Sequence, residues 1–107
     1  MSASLLALLC IRIEGENMIR RHYYFSGEVQ GVGFRFRCEQ IASKLHLTGW
    51  CKNLYDGRVE VELQGEPLNV NMFVSQISKQ PWIEITNVEE SDQPVNKSEK
   101  KFTVRYY

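Results

Sequence analysis

The run Gly27-Glu28-Val29-Gln30-Gly31-Val32-Gly33-Phe34-Arg35 constrains this chain more than any other stretch, because the hydrophobic period changes across it. Upstream, Ile19, Tyr23, Phe25, Gly27 and Val29 share one face with Arg21, while Arg20, His22, Tyr24, Ser26 and Glu28 share the other. Ile19 to Val29 therefore reads as a strand with one mostly apolar side. Downstream, Phe34, Cys38, Ile41, Ala42 and Leu45 fall on one face of a helix that runs from Gly33 or Phe34 to Leu45. A strand that enters a helix this way presents first-turn N–H groups without intrahelical partners, with the positive end of the helix dipole behind them. Such a turn suits a phosphate. Glycine at positions 31 and 33 permits positive φ and close approach of an oxyanion to the main chain. Arg35 adds a planar guanidinium that is charged at any working pH. Taken alone, the same pattern also fits an ordinary strand-to-helix turn with a solvated Arg35.

Two familiar motifs are excluded. A nucleotide P-loop needs Gly-Lys-Ser/Thr, whereas Gly33 is followed by Phe34 and Arg35, with no hydroxyl to hold magnesium. The aromatic RNA-binding motif of RRM domains places its aromatics on a strand, and the helical period after Phe34 argues against that. Charge agrees: 13 basic residues against 13 acidic ones leave no basic surplus for a nucleic-acid backbone.

A chain of 107 residues is one domain by size and can build a single core. The three cysteines, Cys10, Cys38 and Cys51, form no C-x-x-C pair, which argues against a disulfide framework and a thiolate zinc site. A reducing cytoplasm fits best. Residues 1–18 read as a poorly ordered N-terminal extension, with Met18 a possible internal start. The apolar run from Leu5 to Ile13 is too short to span a bilayer and lacks the basic start and small-residue cleavage site of a secretory signal.

After the first helix, a short strand is expected at Trp50-Cys51-Lys52-Asn53, then a hairpin turn at Asp56-Gly57. Val59, Val61 and Leu63 alternate with Glu60, Glu62 and Gln64 in the third strand. Pro67 suits the first position of a second helix, whose buried stripe is Val70, Phe73, Val74 and Ile77. Strand four is expected from Trp82 to about Glu89, residues 91–101 as a mobile polar loop, and a final short strand at Phe102, Val104 and Tyr106. His22 reads as a solvated or hydrogen-bonded side chain, His46 as a helix-ending cation, and Cys38 as a buried, inert thiol.

The order strand-helix-strand-strand-helix-strand is that of an α+β, ferredoxin-like (split βαβ) two-layer sandwich, an antiparallel sheet with two helices on one face and an extra C-terminal strand. In that topology strands one and two run the same way with strand three between them. Their C-terminal ends then emerge on one rim about 10 Å apart, which puts Gln30 to Arg35 and Asn53 together. Asn53 carries a neutral amide that can orient a water molecule, although a turn-forming asparagine is an equally ordinary reading.

Three pieces, Gly27 to Arg35, Gly49-Trp50-Cys51-Lys52-Asn53 and Asp56-Gly57-Arg58-Val59-Glu60, resemble the acylphosphatase family, and the resemblance covers residues 19–107 as one acylphosphatase-like domain. It implies hydrolysis of the carboxyl–phosphate anhydride of an acyl phosphate, with inorganic phosphate as product. It places the catalytic roles on Arg35 and Asn53, and phosphate binding on Gln30, Gly31, Val32, Gly33, Phe34 and Arg35. Cys51 and the first 17 residues depart from the family pattern. No cofactor or metal is expected, since no Asp/Glu/His cluster has ligand spacing, and no nucleic-acid or membrane partner; a monomer is expected. The alternative is a non-catalytic anion-binding module of the kind that larger carbamoyl-transferring maturation proteins carry.

Overall fold

The computed structural model describes residues 17–106; the expected N-terminal extension lies almost wholly outside them. Five strands and two helices follow in the order β1 (Ile19–Glu28), α1 (Phe34–Lys44), β2 (Thr48–Asn53), β3 (Val59–Gly65), α2 (Pro67–Ser78), β4 (Glu84–Gln93) and β5 (Phe102–Arg105). The sheet order is β4-β1-β3-β2-β5. β3 pairs antiparallel with both β1 and β2, so β1 and β2 run the same way with β3 between them. The expected antiparallel sheet is therefore correct for four strands, but β5 lies parallel to β2 and makes the whole sheet mixed.

Both helices contribute to one core. Phe34, Cys38, Ile41 and Ala42 of α1 and Val70, Phe73 and Ile77 of α2 meet Tyr23, Phe25, Cys51, Val59, Val61 and Leu63 from the sheet. α1 ends in a Schellman motif: His46, at φ 56, turns the chain left-handed, and the Leu47 N–H reaches back to the Ala42 carbonyl at 2.8 Å. Leu47 is then buried beside the helix it has just left.

Strand four differs from expectation at both ends. Trp82 has φ 70 and cannot begin an extended run, so β4 starts at Glu84 and pairs along β1 as far as Gln93 opposite Arg20. Within that ladder Ser26 faces Asn87 but Gly27 faces Ile85, a bulge that leaves Thr86 unopposed. Gly27 permits it at φ 123, where a β-carbon would sit 2.2 Å from the Glu84 carbonyl oxygen. The bulge shifts the alternation, so Ile85 and Val88 both pack on the core.

The open face of the sheet explains why residues 94–101 are not the free polar loop expected. Arg20, only 5 % exposed, reaches Glu62 at 2.5 Å, Glu99 at 2.9 Å and Gln64 at 2.9 Å. Gln64 in turn holds the Asn96 main chain through both its amide atoms, at 2.7 and 2.8 Å, and Thr48 donates to Glu99 at 2.7 Å. An arginine that alternation puts on the more polar face of β1 is covered there by this segment. Beside it His22 pairs with Glu60 at 2.6 Å, and the Arg58 and Arg105 guanidinium groups lie over the Tyr24 and Trp50 rings at 4.5 and 4.3 Å.

Candidate active site

The change from strand to helix produces an open helix N-terminus. Gly33 is the N-cap residue of α1 at φ 79 and ψ 19, without a side-chain cap, and no acidic residue occupies the first turn. Its carbonyl accepts the first helical bond from the Arg37 N–H at 3.0 Å. The N–H groups before Arg37 therefore have no helical acceptor, and the first turn itself carries no carboxylate. Gly31, at φ 75, gives the loop a second left-handed residue. Neither glycine has anything within 4 Å of where a β-carbon would stand, so the concavity in front of them is open.

A cleft of about 300 Å³ lies against this turn, lined by Val29, Gly31, Gly33, Phe34, Arg35, Phe36, Glu39, Asn53, Val104 and Tyr106. Arg35 projects from the first turn of α1, half-buried, with its guanidinium 5.0 Å from the centre of the Tyr106 ring. Among the described residues it makes no ion pair, in contrast to Arg20, Arg21 and Arg58. Asn53 is the last residue of β2, opposite Val59 in the ladder, and β3 separates it from the end of β1. The shared direction of β1 and β2, on either side of β3, carries both side chains to the same rim.

Not every residue expected to bind phosphate faces this cleft. Gly31, Gly33, Phe34 and Arg35 line it, and the Phe34 ring is buried in the core, so that residue can offer only its main chain. Val32 packs against the core and is absent from the lining. Gln30 lines a neighbouring cleft with Lys52, Asn53, Leu54, Tyr55 and Tyr106. Its side-chain Nε2 donates to the Leu54 carbonyl at 2.7 Å and to the Arg58 carbonyl at 2.9 Å. The Gln30 clamp and the ring of Tyr106 over Arg35 were not foreseen. Tyr106 shares the alternation of Phe102 and Val104, but only the parallel pairing of Lys52 with Arg105 brings it alongside Asn53.

The sequence model of the acylphosphatase family matches residues 21–104. The chain belongs to the acylphosphatase family. It is 47 % identical over 90 residues to the acylphosphatase of Clostridium beijerinckii, a match that covers 83 % of this chain and all of that one. The acylphosphatase of Bifidobacterium longum is 37 % identical, covering 86 % of this chain and 97 % of its own. Among solved structures, an acylphosphatase from Coxiella burnetii superposes with a TM-score of 0.79 at 33 % identity, covering 86 % of this chain and 97 % of that chain. Full-length HypF in its phosphate- and nucleotide-bound form superposes with a TM-score of 0.71 at 27 % identity, covering 82 % of this chain but 12 % of that one. Among the described residues no helix is long and apolar enough to cross a membrane.

Proposed function

We propose that this chain hydrolyses acyl phosphates to a carboxylate and inorganic phosphate, with the phosphoryl group held by Arg35 and the main-chain N–H groups of residues 30–35. The observation that carries this reading is the single cleft that Gly31, Gly33, Arg35 and Asn53 line together. Relatives named acylphosphatase, matched from end to end at 37 to 47 % identity, support the same activity.

The chemistry asks little of the protein beyond position and charge. The leaving group is a carboxylate of low basicity, so no general acid is required. Asn53 orients a water molecule in line with the P–O bond to the acyl group. As that bond breaks, its electron pair leaves with the carboxylate, the water oxygen bonds to phosphorus, and the water proton passes to a phosphoryl oxygen. Arg35 and the first-turn amides stabilise charge on the equatorial oxygens throughout. No step calls on a metal or a cofactor. The same reading describes a monomer acting on a small molecule without nucleic acid, in keeping with zero net charge. A reducing cytoplasm accords with the unpaired, buried Cys38 and Cys51.

A second reading, a non-catalytic anion-binding module, is favoured by the match to a small part of HypF. One assay separates the two. The purified protein is expected to release phosphate from benzoyl phosphate at a rate unchanged by EDTA. Absence of turnover, with inorganic phosphate still bound, would leave the binding module.

A further inference from the structure

The two groups assigned to the reaction stand on segments that no ladder bond joins directly, because β3 lies between β1 and β2. Something must fix their separation, since a misplacement of about 1 Å at a reacting centre can lower a rate by about 100-fold. The side chain of Gln30 spans that gap. Its residue opens the cradle loop, and its Nε2 reaches carbonyls 24 and 28 residues away, on Leu54 and Arg58. Carbonyl oxygens only accept, so the nitrogen end of the amide is the end that faces them, and both of its hydrogens are used.

The acceptors are themselves well placed. The Leu54 carbonyl also takes the Gly57 N–H at 3.3 Å, and the Arg58 carbonyl takes the Leu54 N–H at 2.9 Å. Leu54 is the residue after Asn53, at the point where the chain leaves β2. The amide therefore closes a small ring around the base of the turn from 54 to 58 and ties it to the phosphate cradle.

On the assignment of Arg35 and Asn53 made above, we infer that Gln30 is a positioning residue: through Leu54 and Arg58 it holds the Asn53 amide at the distance from the cradle that in-line attack requires. It acts by its donors and not by contact with the phosphoryl group. Gln30→Met keeps the length of the side chain and removes both donors. Gln30→Glu keeps the shape, sets carboxylate oxygens against carbonyl oxygens at neutral pH, and recovers one donor when the carboxyl is protonated.

The test measures kcat on benzoyl phosphate and Ki for inorganic phosphate in wild type, Gln30→Met, Asn53→Ala and the double variant, with thermal unfolding to show that each is folded. The expected result for Gln30→Met is a fall in kcat of about 10- to 100-fold with Ki changed by less than about threefold. In the Asn53→Ala background the same substitution should lower kcat no further, because the group it positions is gone. Gln30→Glu should regain kcat relative to wild type as pH falls from 7.5 to 5, and it serves as the probe if Gln30→Met does not fold. A kcat equal to wild type, a Ki that rises in step with the loss, or losses that multiply in the double variant would overturn the clamp. An inactive wild type would instead strike at the proposed function, and the clamp would fall with it.

Discussion

Replacing Arg20 by methionine removes the cation on which the open face of the sheet converges. Its guanidinium donates to Glu62, to Gln64 and, through two nitrogens, to Glu99, and the three charged side chains are 5 %, 17 % and 14 % exposed. Burial alone would lower the Arg20 pKa, but the bonds to Glu99 and Glu62 outweigh it and the net direction is upward, so the guanidinium stays charged throughout the working pH range. Removing one partner of a fully buried pair costs about 3 to 5 kcal/mol, because the remaining charge is left without hydration or counter-charge. Here both carboxylates keep a partial route to water, which places the expected loss at about 2 to 4 kcal/mol. For a domain of this size that corresponds to a drop in Tm of about 10 °C or more. Urea unfolding is the assay, with limited proteolysis as a second probe. Cleavage between residues 94 and 101 should accelerate, because Glu99 loses its anchor. Arg20 pairs with the Gln64 end of β3, whereas the cleft lies at the Val59 end, so kcat on an acyl phosphate should remain that of wild type. A loss below about 1 kcal/mol, with unchanged proteolysis, would refute the claim that Arg20 fastens this segment.

Alkaline stability and the cradle give two further expectations. Burial, and then the neighbouring Cys51 thiol, push the Cys38 thiol well above its ordinary range; burial likewise raises the Tyr23 phenol, against the opposing effect of Arg21. Values raised on folding mean that this stability is complete below the ordinary thiol and phenol ranges and is lost as pH climbs through the raised ones. The urea midpoint should therefore fall between about pH 8 and pH 11, and iodoacetamide should leave native Cys38 unmodified at about pH 8; rapid native alkylation would contradict the burial. Gly33→Ala adds a β-carbon into open space at φ 79, so its cost is backbone strain of about 1 to 2 kcal/mol. It should also weaken inhibition by inorganic phosphate, and an unchanged Ki would separate that glycine from anion binding.

Much of the fold follows from periodicity that is plain in the chain. The stripes Phe34-Cys38-Ile41 and Val70-Phe73-Ile77 are the buried faces of the two helices, and the alternation of Val59, Val61 and Leu63 marks the central strand. What was not legible depends on partners distant in sequence. The Arg20 network needs Glu99, the extension of β4 to Gln93 needs the far end of β1, and the parallel seat of β5 needs β2. The candidate site divides in the same way. Glycines, arginine and asparagine stood out as residue types, and topology brought them to one rim. The donors of Gln30 meet acceptors on the main chain, which carry no residue-type signal, so that clamp could be read only from coordinates.

The most direct test of the shared reaction centre compares Arg35→Ala with Asn53→Ala, measuring kcat on benzoyl phosphate and Ki for inorganic phosphate in each. Arg35→Ala should lose at least about 3 kcal/mol of transition-state stabilisation, about 100-fold or more in rate, and bind phosphate far more weakly. Asn53→Ala should lose a comparable rate while keeping a Ki near that of wild type. Equal loss of rate and of phosphate affinity in Asn53→Ala would contradict its role in orienting water, and wild-type turnover in either variant would contradict the shared centre itself.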